Sequence, residues 1–452
     1  MGKLFGTDGI RGEANRHPMT AQIAFAVGQA VTHLLRQEVG DHHKLRVIIG
    51  KDTRISGYMF ESSLEAGITS MGGNPYLVGV LPTPGIAFIT ESMRADAGIV
   101  ISASHNPYED NGIKIFGGNG RKLTDEQEAE LERLILDPKL PDQTPQAMNM
   151  GRAYRIEDAR GRYIQFLKNS FPRDLTMEGM KIAIDTAHGA TYKTAVETLT
   201  ELGADVTVIG NQPNGLNINH DCGSQHTKQL EEIVRHGGAD LGLAFDGDGD
   251  RLIAVDEFGR RITGDQILMI CALNLLSHGA LKNNLLVTTV MSNFGLKIAC
   301  QRIGIKNHRS KVGDRYVLED MEKLGANLGG EESGHMIFLD HHGTGDGVLS
   351  AVQLIAVMQR TGRPLSDLAK VMDVFPQALI NVDVGRKKPL EELPAVTAVI
   401  KDVEAALGDS GRVLVRYSGT QNMCRVMVEG PTLEQTQAYC QQIADALKLA
   451  LA

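Results

Sequence analysis

At 452 residues, with 42% hydrophobic and 22% charged residues, the chain has a globular composition and the length for about three or four domains. A formal net charge of −9 argues against nucleic acid as a partner, because the broad basic footprint is missing, and leaves local basic clefts for small anions. No stretch is apolar for the length a bilayer demands, which excludes a helical membrane span.

The opening, MGKLFGTDGIRGE, has no apolar segment of the kind that directs export. The five cysteines, Cys222, Cys271, Cys300, Cys424 and Cys440, are scattered and form no C-x-x-C pair. Reduced thiols and a cytoplasmic location are the expectation.

In chain order, strands are expected at LRVIIG (45–50), PYLVGV (75–80), AGIVIS (97–102), MKIAID (180–185), ADVTVIG (204–210), DLGLAF (240–245) and NLLVTTV (284–290). Helical patterns separate many of them, at 57–71, 124–136, 190–202, 226–236, 264–277 and 314–323. This alternation predicts an α/β protein with mixed, largely parallel sheets. The stretch DPKLPDQTPQAMN (137–149) reads as a linker, so a first α/β domain is assigned to 1–150 and a second to 151–256. A third α/β domain covers 257–374. From 375 to 452 the pattern changes to strand, helix, two strands and helix, a smaller α+β domain.

Four stretches carry chemistry. In open α/β sheets ligands bind beyond the carboxyl ends of strands, and GIVISASHNP places Ser104 just there, followed by His105, Asn106 and Pro107. A serine at such a point is commonly only a turn or cap. With His105 adjacent and Lys114 returning on the next strand, a hydroxyl nucleophile served by proton-transfer partners becomes the functional reading.

In AFDGDGDRLIAVD, Asp246, Asp248 and Asp250 alternate with glycines between two apolar runs. Three carboxylates this close repel unless a cation sits among them, and hard oxygen donors suit Mg²⁺. A structural calcium loop is the competing reading, since Glu257 falls at the twelfth position. Arg251 nevertheless stands at the sixth, where that loop requires glycine, and strands rather than helices flank it. In GGEESGH (329–335), Glu331, Glu332, Ser333 and His335 crowd a glycine-flanked loop suited to sugar hydroxyl and amino groups; the alternative is a solvated turn. In RVLVRYSGTQNMCRVMVEG, Ser418, Gly419 and Thr420, flanked by Arg416 and Arg425, form either a phosphate nest or a plain hairpin turn. HGTGDG (342–347) does not follow a βαβ start and is read as a loop.

Together with KLFGTDGIRG, GKDTRISG and KVGDRYV, these stretches resemble the α-D-phosphohexomutase superfamily over essentially the whole chain, and most closely its bacterial branch acting on glucosamine phosphates. The resemblance implies four domains around a central cleft, three of them related α/β units, with one loop contributed by each. It implies that Ser104 carries a phosphoryl group and that Asp246, Asp248 and Asp250 hold Mg²⁺ together with a phosphoryl oxygen on Ser104. Arg11 and Arg251 would steady the reacting phosphoryl group, Lys114 and His335 would move protons, and His105 would order the loop. Glu331 and Ser333 would bind sugar hydroxyls, while Arg416, Ser418, Gly419, Thr420 and Arg425 would bind the phosphate that is not reacting.

The implied reaction interconverts glucosamine 6-phosphate and glucosamine 1-phosphate through glucosamine 1,6-bisphosphate, which also serves as activator, on the route to UDP-N-acetylglucosamine and cell-wall precursors. A small-molecule sugar phosphate is the expected partner, with a homodimer as the family-based expectation. One departure stands out: the phosphate loop of the family normally reads R-x-S-G-T-E-P, whereas Gln421 and Asn422 occupy the last two positions here. The nearest alternative is a phosphoglucomutase or phosphomannomutase. A serine-nucleophile phosphatase and a noncatalytic sugar-phosphate-binding protein are further removed, since neither uses all four loops.

Overall fold

Runs such as Ala97–Ile101 and Leu241–Phe245 are buried along their whole length. A strand with no polar face needs cover on both sides, and these strands take interior positions in sheets flanked by helices. In the computed structural model, residues 4–6, 8–40, 43–417 and 422–451 are described. They divide into two compact units, Met1–Met291 with Lys306–Lys370, and Ser292–Ile305 with Val371–Ala452.

The larger unit contains three mixed sheets. The first has seven strands in the order Phe5–Gly6, Gly9–Glu13, Asp110–Gly117, Ala97–Ile101, Arg46–Lys51, Asn74–Val80 and Tyr154–Arg155. Pairing is parallel from Ala97–Ile101 to the Tyr154–Arg155 edge and antiparallel on the other side. The second has five, ordered Arg261–Ile262, Leu252–Asp256, Leu241–Phe245, Lys181–Asp185 and Asp205–Ile209. The third has four, ordered Lys306–Ser310, Leu285–Thr289, Leu328–Gly330 and Met336–Phe338. Each sheet has a parallel core on which one strand folds back antiparallel, Ala97–Ile101 onto Asp110–Gly117, Leu241–Phe245 onto Leu252–Asp256, and Leu328–Gly330 onto Met336–Phe338.

The helices follow their local signals. Thr124 and Gln127 form a reciprocal capping box at the start of Asp125–Ile135, and Thr263 and Gln266 do the same for Gly264–Ser277. Helix Ala21–Val39 crosses Gly57–Ser70 so closely that a Cβ on Gly67 would lie 2.2 Å from the Phe25 carbonyl oxygen. Only glycine permits that approach, which seals one face of the first sheet.

The smaller unit has a three-stranded antiparallel sheet, ordered Gln377–Asp383, Met423–Glu429 and Arg412–Tyr417. Helices Pro394–Leu407 and Leu433–Leu451 contribute Val396, Val403, Ile443 and Leu447 to its core. The fully buried Glu429 accepts from Phe294 N at 3.0 Å, Asn293 Nδ2 at 3.2 Å and Arg412 Nε at 2.5 Å. Its carboxylate thus meets the positive end of helix Phe294–Ile303 and binds that helix to the sheet.

Among the described residues, no helix is long and apolar enough to cross a membrane. All five cysteines are buried, and no disulfide joins any two of them.

His342 joins segments distant in sequence: its Nε2 donates to the Pro84 carbonyl at 3.0 Å, and its ring meets Phe166 edge-on at 5.7 Å. Burial pushes its pKa down to about 4, against an ordinary 6.5. The unfolded chain therefore binds a proton that the folded chain refuses. This contribution to stability is complete above about pH 6.5 and is lost as pH falls toward 4. Urea unfolding midpoints should decline over that window, and His342→Gln, whose amide can still donate to Pro84, should decline less steeply. Parallel declines for the two proteins would remove His342 as the cause.

Candidate active site

The turn between Ala97–Ile101 and Asp110–Gly117 is pinned at its base by the pairing of Ile101 with Ile113. Within it Ser104 adopts φ +51°, a left-handed conformation uncommon outside glycine, asparagine and aspartate, and the residue is only 2% exposed. The buried Arg54 secures this backbone. Its Nη2 donates to the carbonyls of Ser104 at 3.0 Å and Asn106 at 2.8 Å, and its Nη1 to Asp110 O at 3.0 Å and to Pro107 O. Asp52 pairs with Arg54 Nε at 2.8 Å and accepts from Ser102 Oγ at 2.6 Å, while Ser102 Oγ accepts from Ser104 N at 2.9 Å. These bonds hold Ser104 so that its Oγ donates to Asp246 Oδ2 at 2.7 Å.

Asp246 begins the turn between Leu241–Phe245 and Leu252–Asp256, closed by the pairing of Phe245 with Leu252. Asp246, Asp248 and Asp250 are all buried, and each offers an oxygen within 4.8 Å of the others. Asp248 Oδ1 and Asp250 Oδ1 are buried without a hydrogen-bond partner. Burial, with repulsion from Asp250 and Asp248, pushes the Asp246 carboxyl well above the usual range. Bare carboxylate oxygens converging on one point beside a serine hydroxyl match the donor set of a hard divalent cation such as Mg²⁺.

Cations surround the carboxylates. Lys114 Nζ lies 3.0 Å from Asp248, 3.2 Å from Asp8 and 3.9 Å from Asp250. Burial opposes its charge, but these three carboxylates outweigh that and keep it protonated. Thr83 Oγ1 also donates to Asp248 Oδ2, at 2.7 Å. Arg251 donates its backbone N–H to Asp246 Oδ1 at 3.1 Å, and Arg11 pairs with Asp8.

The third turn, between Leu328–Gly330 and Met336–Phe338, is closed by the pairing of Gly330 with Met336. It joins the carboxylate turn through main chain: Arg251 bridges His335, and Leu252 N donates to Gly334 O at 3.0 Å. Gly334 has φ +95°, and a Cβ there would lie 2.2 Å from Leu252 O. His335 Nδ1 lies 3.5 Å from Asp250 and Nε2 3.6 Å from Asp314. Burial opposes protonation of His335, yet Asp250, Asp314 and Glu331 raise its pKa to about 9. Glu331 accepts from Gly313 N at 3.1 Å and from Ser333 Oγ at 3.3 Å. His105, whose Nδ1 is 3.4 Å from Ser104 Oγ, is pushed down to about 4 by burial and then by Arg251 and Arg11.

The larger unit therefore brings together Arg11, Ser104, Lys114, Asp246, Asp248, Asp250, Arg251, Glu331, Ser333 and His335. Three further residues complete the charge pattern. Lys122 bridges Asp8 and Asp314, the latter at 2.5 Å, so a ring of alternating charge runs from Asp8 through Lys114, Asp250, His335, Asp314 and Lys122. Asp8 and Asp314 stand within KLFGTDGIRG and KVGDRYV, so the motifs contain them; for Lys122 and Thr83 the sequence offers no comparable signal.

In the smaller unit, Arg416 and Arg425 face each other as cross-strand partners, one position before Tyr417 and one after Cys424. Burial and the neighbouring Arg425 lower the pKa of Arg416, and Arg425 Nε is buried without a hydrogen-bond partner. Like charges opposed across strands repel, and an anion between them removes the penalty. Ser418, Gly419, Thr420 and Gln421 lie outside the described residues; Asn422 O accepts from Val384 N at 2.9 Å.

Family models for phosphoglucomutase/phosphomannomutase match in order: α/β/α domain I over residues 2–141, domain II over 161–259, domain III over 263–375 and the C-terminal domain over 379–446. The chain is 70% identical to the phosphoglucosamine mutase of Syntrophobacter fumaroxidans over 451 residues, 100% of both chains. It is 56% identical to that of Myxococcus xanthus over 99% of this chain and 97% of the relative. Among solved structures, a phosphoglucomutase/phosphomannomutase family protein from Burkholderia thailandensis superposes with a TM-score of 0.81 at 24% identity, covering 98% of this chain and 96% of the other. Aspergillus fumigatus N-acetylphosphoglucosamine mutase, in complex with GlcNAc-6P and magnesium, gives 0.72 at 16% identity, covering 100% and 96%. The chain thus belongs to the phosphoglucomutase/phosphomannomutase, or α-D-phosphohexomutase, superfamily and within it to the phosphoglucosamine mutases.

Proposed function

We propose that this phosphohexomutase interconverts glucosamine 6-phosphate and glucosamine 1-phosphate by way of a phosphoryl group carried on Ser104. The observation that carries this reading is the 2.7 Å bond from Ser104 Oγ into a buried cluster of three carboxylates, two of which have an oxygen with no hydrogen-bond partner among the described residues. The left-handed backbone at this buried serine is strained, and it aims the hydroxyl at that cluster.

In the first half-reaction the phosphorus–oxygen bond to Ser104 breaks as phosphorus bonds to the free sugar hydroxyl, giving glucosamine 1,6-bisphosphate. The sugar hydroxyl gives up a proton and Ser104 regains one; Lys114 and His335 are the residues assigned to that exchange. The bisphosphate then reverses, and its other phosphate returns to Ser104. Bisphosphate lost at this stage would be needed again as activator.

Asp246, Asp248 and Asp250 would hold Mg²⁺ with a phosphoryl oxygen on Ser104, supplying positive charge where negative charge develops in transfer. Arg11 and Arg251 are assigned to steady the transferring group, and Glu331 and Ser333 to bind the sugar. Arg416 and Arg425, with the turn at 418–420, are assigned to the phosphate that is not reacting. A cytoplasmic setting fits five buried cysteines that form no disulfide with one another.

Ser104→Ala should lower turnover of glucosamine 6-phosphate by ~10³-fold or more, with an unchanged circular dichroism spectrum. Turnover near wild type would dismiss the covalent route. Asp248→Asn should weaken Mg²⁺ affinity about ten- to a hundredfold, read from the Mg²⁺ concentration giving half-maximal rate; an unmoved midpoint would take this turn out of the site. The acidic side chains of the third turn favour an ammonium-bearing sugar. On that basis kcat/KM should be highest for glucosamine 6-phosphate, by roughly tenfold over glucose 6-phosphate, and the reverse order would mark a neutral-sugar mutase.

A further inference from the structure

Asn219 follows strand Asp205–Ile209 in the NQPNGLNINHDCG loop, far in sequence from both the serine and the carboxylate turns. Its Nδ2 donates to the carbonyl oxygens of Ser104 and Asn106, each at 2.9 Å. These are the same two carbonyls that Arg54 Nη2 engages. The amide also lies against the carboxylate turn, since a Cβ on Gly247 would meet Asn219 Nδ2 at 2.7 Å and Ser104 O at 2.6 Å. Asn219 therefore sits where the serine turn, the carboxylate turn and its own loop meet. Its own backbone has φ +59°, and its N–H donates to Ala187 O at 2.9 Å.

The two donors do different work. Arg54 follows a strand of the same sheet as the serine turn, so it shapes the turn but cannot fix it relative to Asp246. Asn219 comes from the segment that carries the carboxylate turn, and both amide protons on its nitrogen are spent on the serine turn. A left-handed serine is strained and persists only where its surroundings over-determine it. Asn219 supplies the restraint from across the gap.

We infer that Asn219 is a positioning residue for phosphoryl transfer, setting the distance and direction of Ser104 Oγ relative to the Asp246, Asp248 and Asp250 cluster. This rests on the reading of Ser104 as the phosphoryl carrier. Both protons of the Asn219 amide are engaged by the serine turn, so its loss should slow transfer without loosening substrate.

The test uses two variants of the full-length protein. Asn219→Gly suits the left-handed backbone and removes the amide; Asn219→Asp keeps the shape and replaces the donor with an acceptor facing two carbonyls. Each is dephosphorylated and mixed with glucosamine 1,6-bisphosphate. Phosphate appearing on Ser104 is timed by intact mass, alongside kcat, KM for glucosamine 6-phosphate and the urea midpoint. The expected result is Ser104 phosphorylation and kcat each slowed ten- to a hundredfold, with KM within threefold of wild type. Asn219→Asp should be at least as slow as Asn219→Gly, although it keeps the size of the native side chain. If wild type itself acquires no phosphate on Ser104, the carrier reading fails and this inference falls with it. If wild type does and both variants match its rate, only the positioning role is overturned. A fall in kcat matched by a comparable rise in KM, or by a urea midpoint lowered in both variants, would also overturn it in favour of general support for the fold.

Discussion

Burying three carboxylates within 4.8 Å of one another is the constraint that organises the larger unit. Each would repel the next in a medium that screens charge poorly. The surroundings answer with Lys114, Arg251 and protonated His335, drawn from three different sheets, and with a second rank in which Asp8, Lys122 and Asp314 alternate in sign. Lys114, Lys122 and His335 each take a carboxylate partner from a segment outside their own sheet. Electrostatics consequently couples the three sheets at one place, and a divalent cation is the component that this charge pattern still accommodates.

Much of this was readable in the residues. The apolar runs at 45–50, 97–102, 180–185 and 240–245 became Arg46–Lys51, Ala97–Ile101, Lys181–Asp185 and Leu241–Phe245, because a strand covered on both faces leaves little choice of composition. Ser104 and the Asp246, Asp248 and Asp250 series stood out because chemistry was packed into a few consecutive positions. Lys122, Thr83 and Asn219 were hidden for the opposite reason. Each acts on a group brought near only by the fold, as Lys122 does on Asp314 and Asn219 on Ser104, and no local period or spacing encodes such a pairing. Protonation was equally illegible: His105 and His335 look alike in sequence, yet burial with nearby arginines pushes one down to about 4, while three carboxylates bring the other to about 9.

The smaller unit poses a simpler problem of the same type. Arg416 opposes Arg425 across a strand pair, while four residues away Arg412 opposes Glu429 and is neutralised by it. One ladder thus carries both a satisfied and an unsatisfied charge pair. The satisfied one secures helix Phe294–Ile303, and the unsatisfied one stands one rung from the Tyr417–Cys424 end of the ladder.

The three turns of the larger unit share one construction, since each lies between two antiparallel strands whose last rungs are Ile101 with Ile113, Phe245 with Leu252 and Gly330 with Met336. A ladder rung fixes both ends of the intervening chain at strand spacing, whatever the chain between them contains. Residues inside a turn can be exchanged, lengthened or shortened while the posts stay where they are. A slip within a strand would instead turn every side chain of that strand to the opposite face. Substrate choice and scaffold are thereby inherited as separable traits: selection can rewrite the positions from Glu331 to Ser333 without reopening the question of how the sheet beneath them folds.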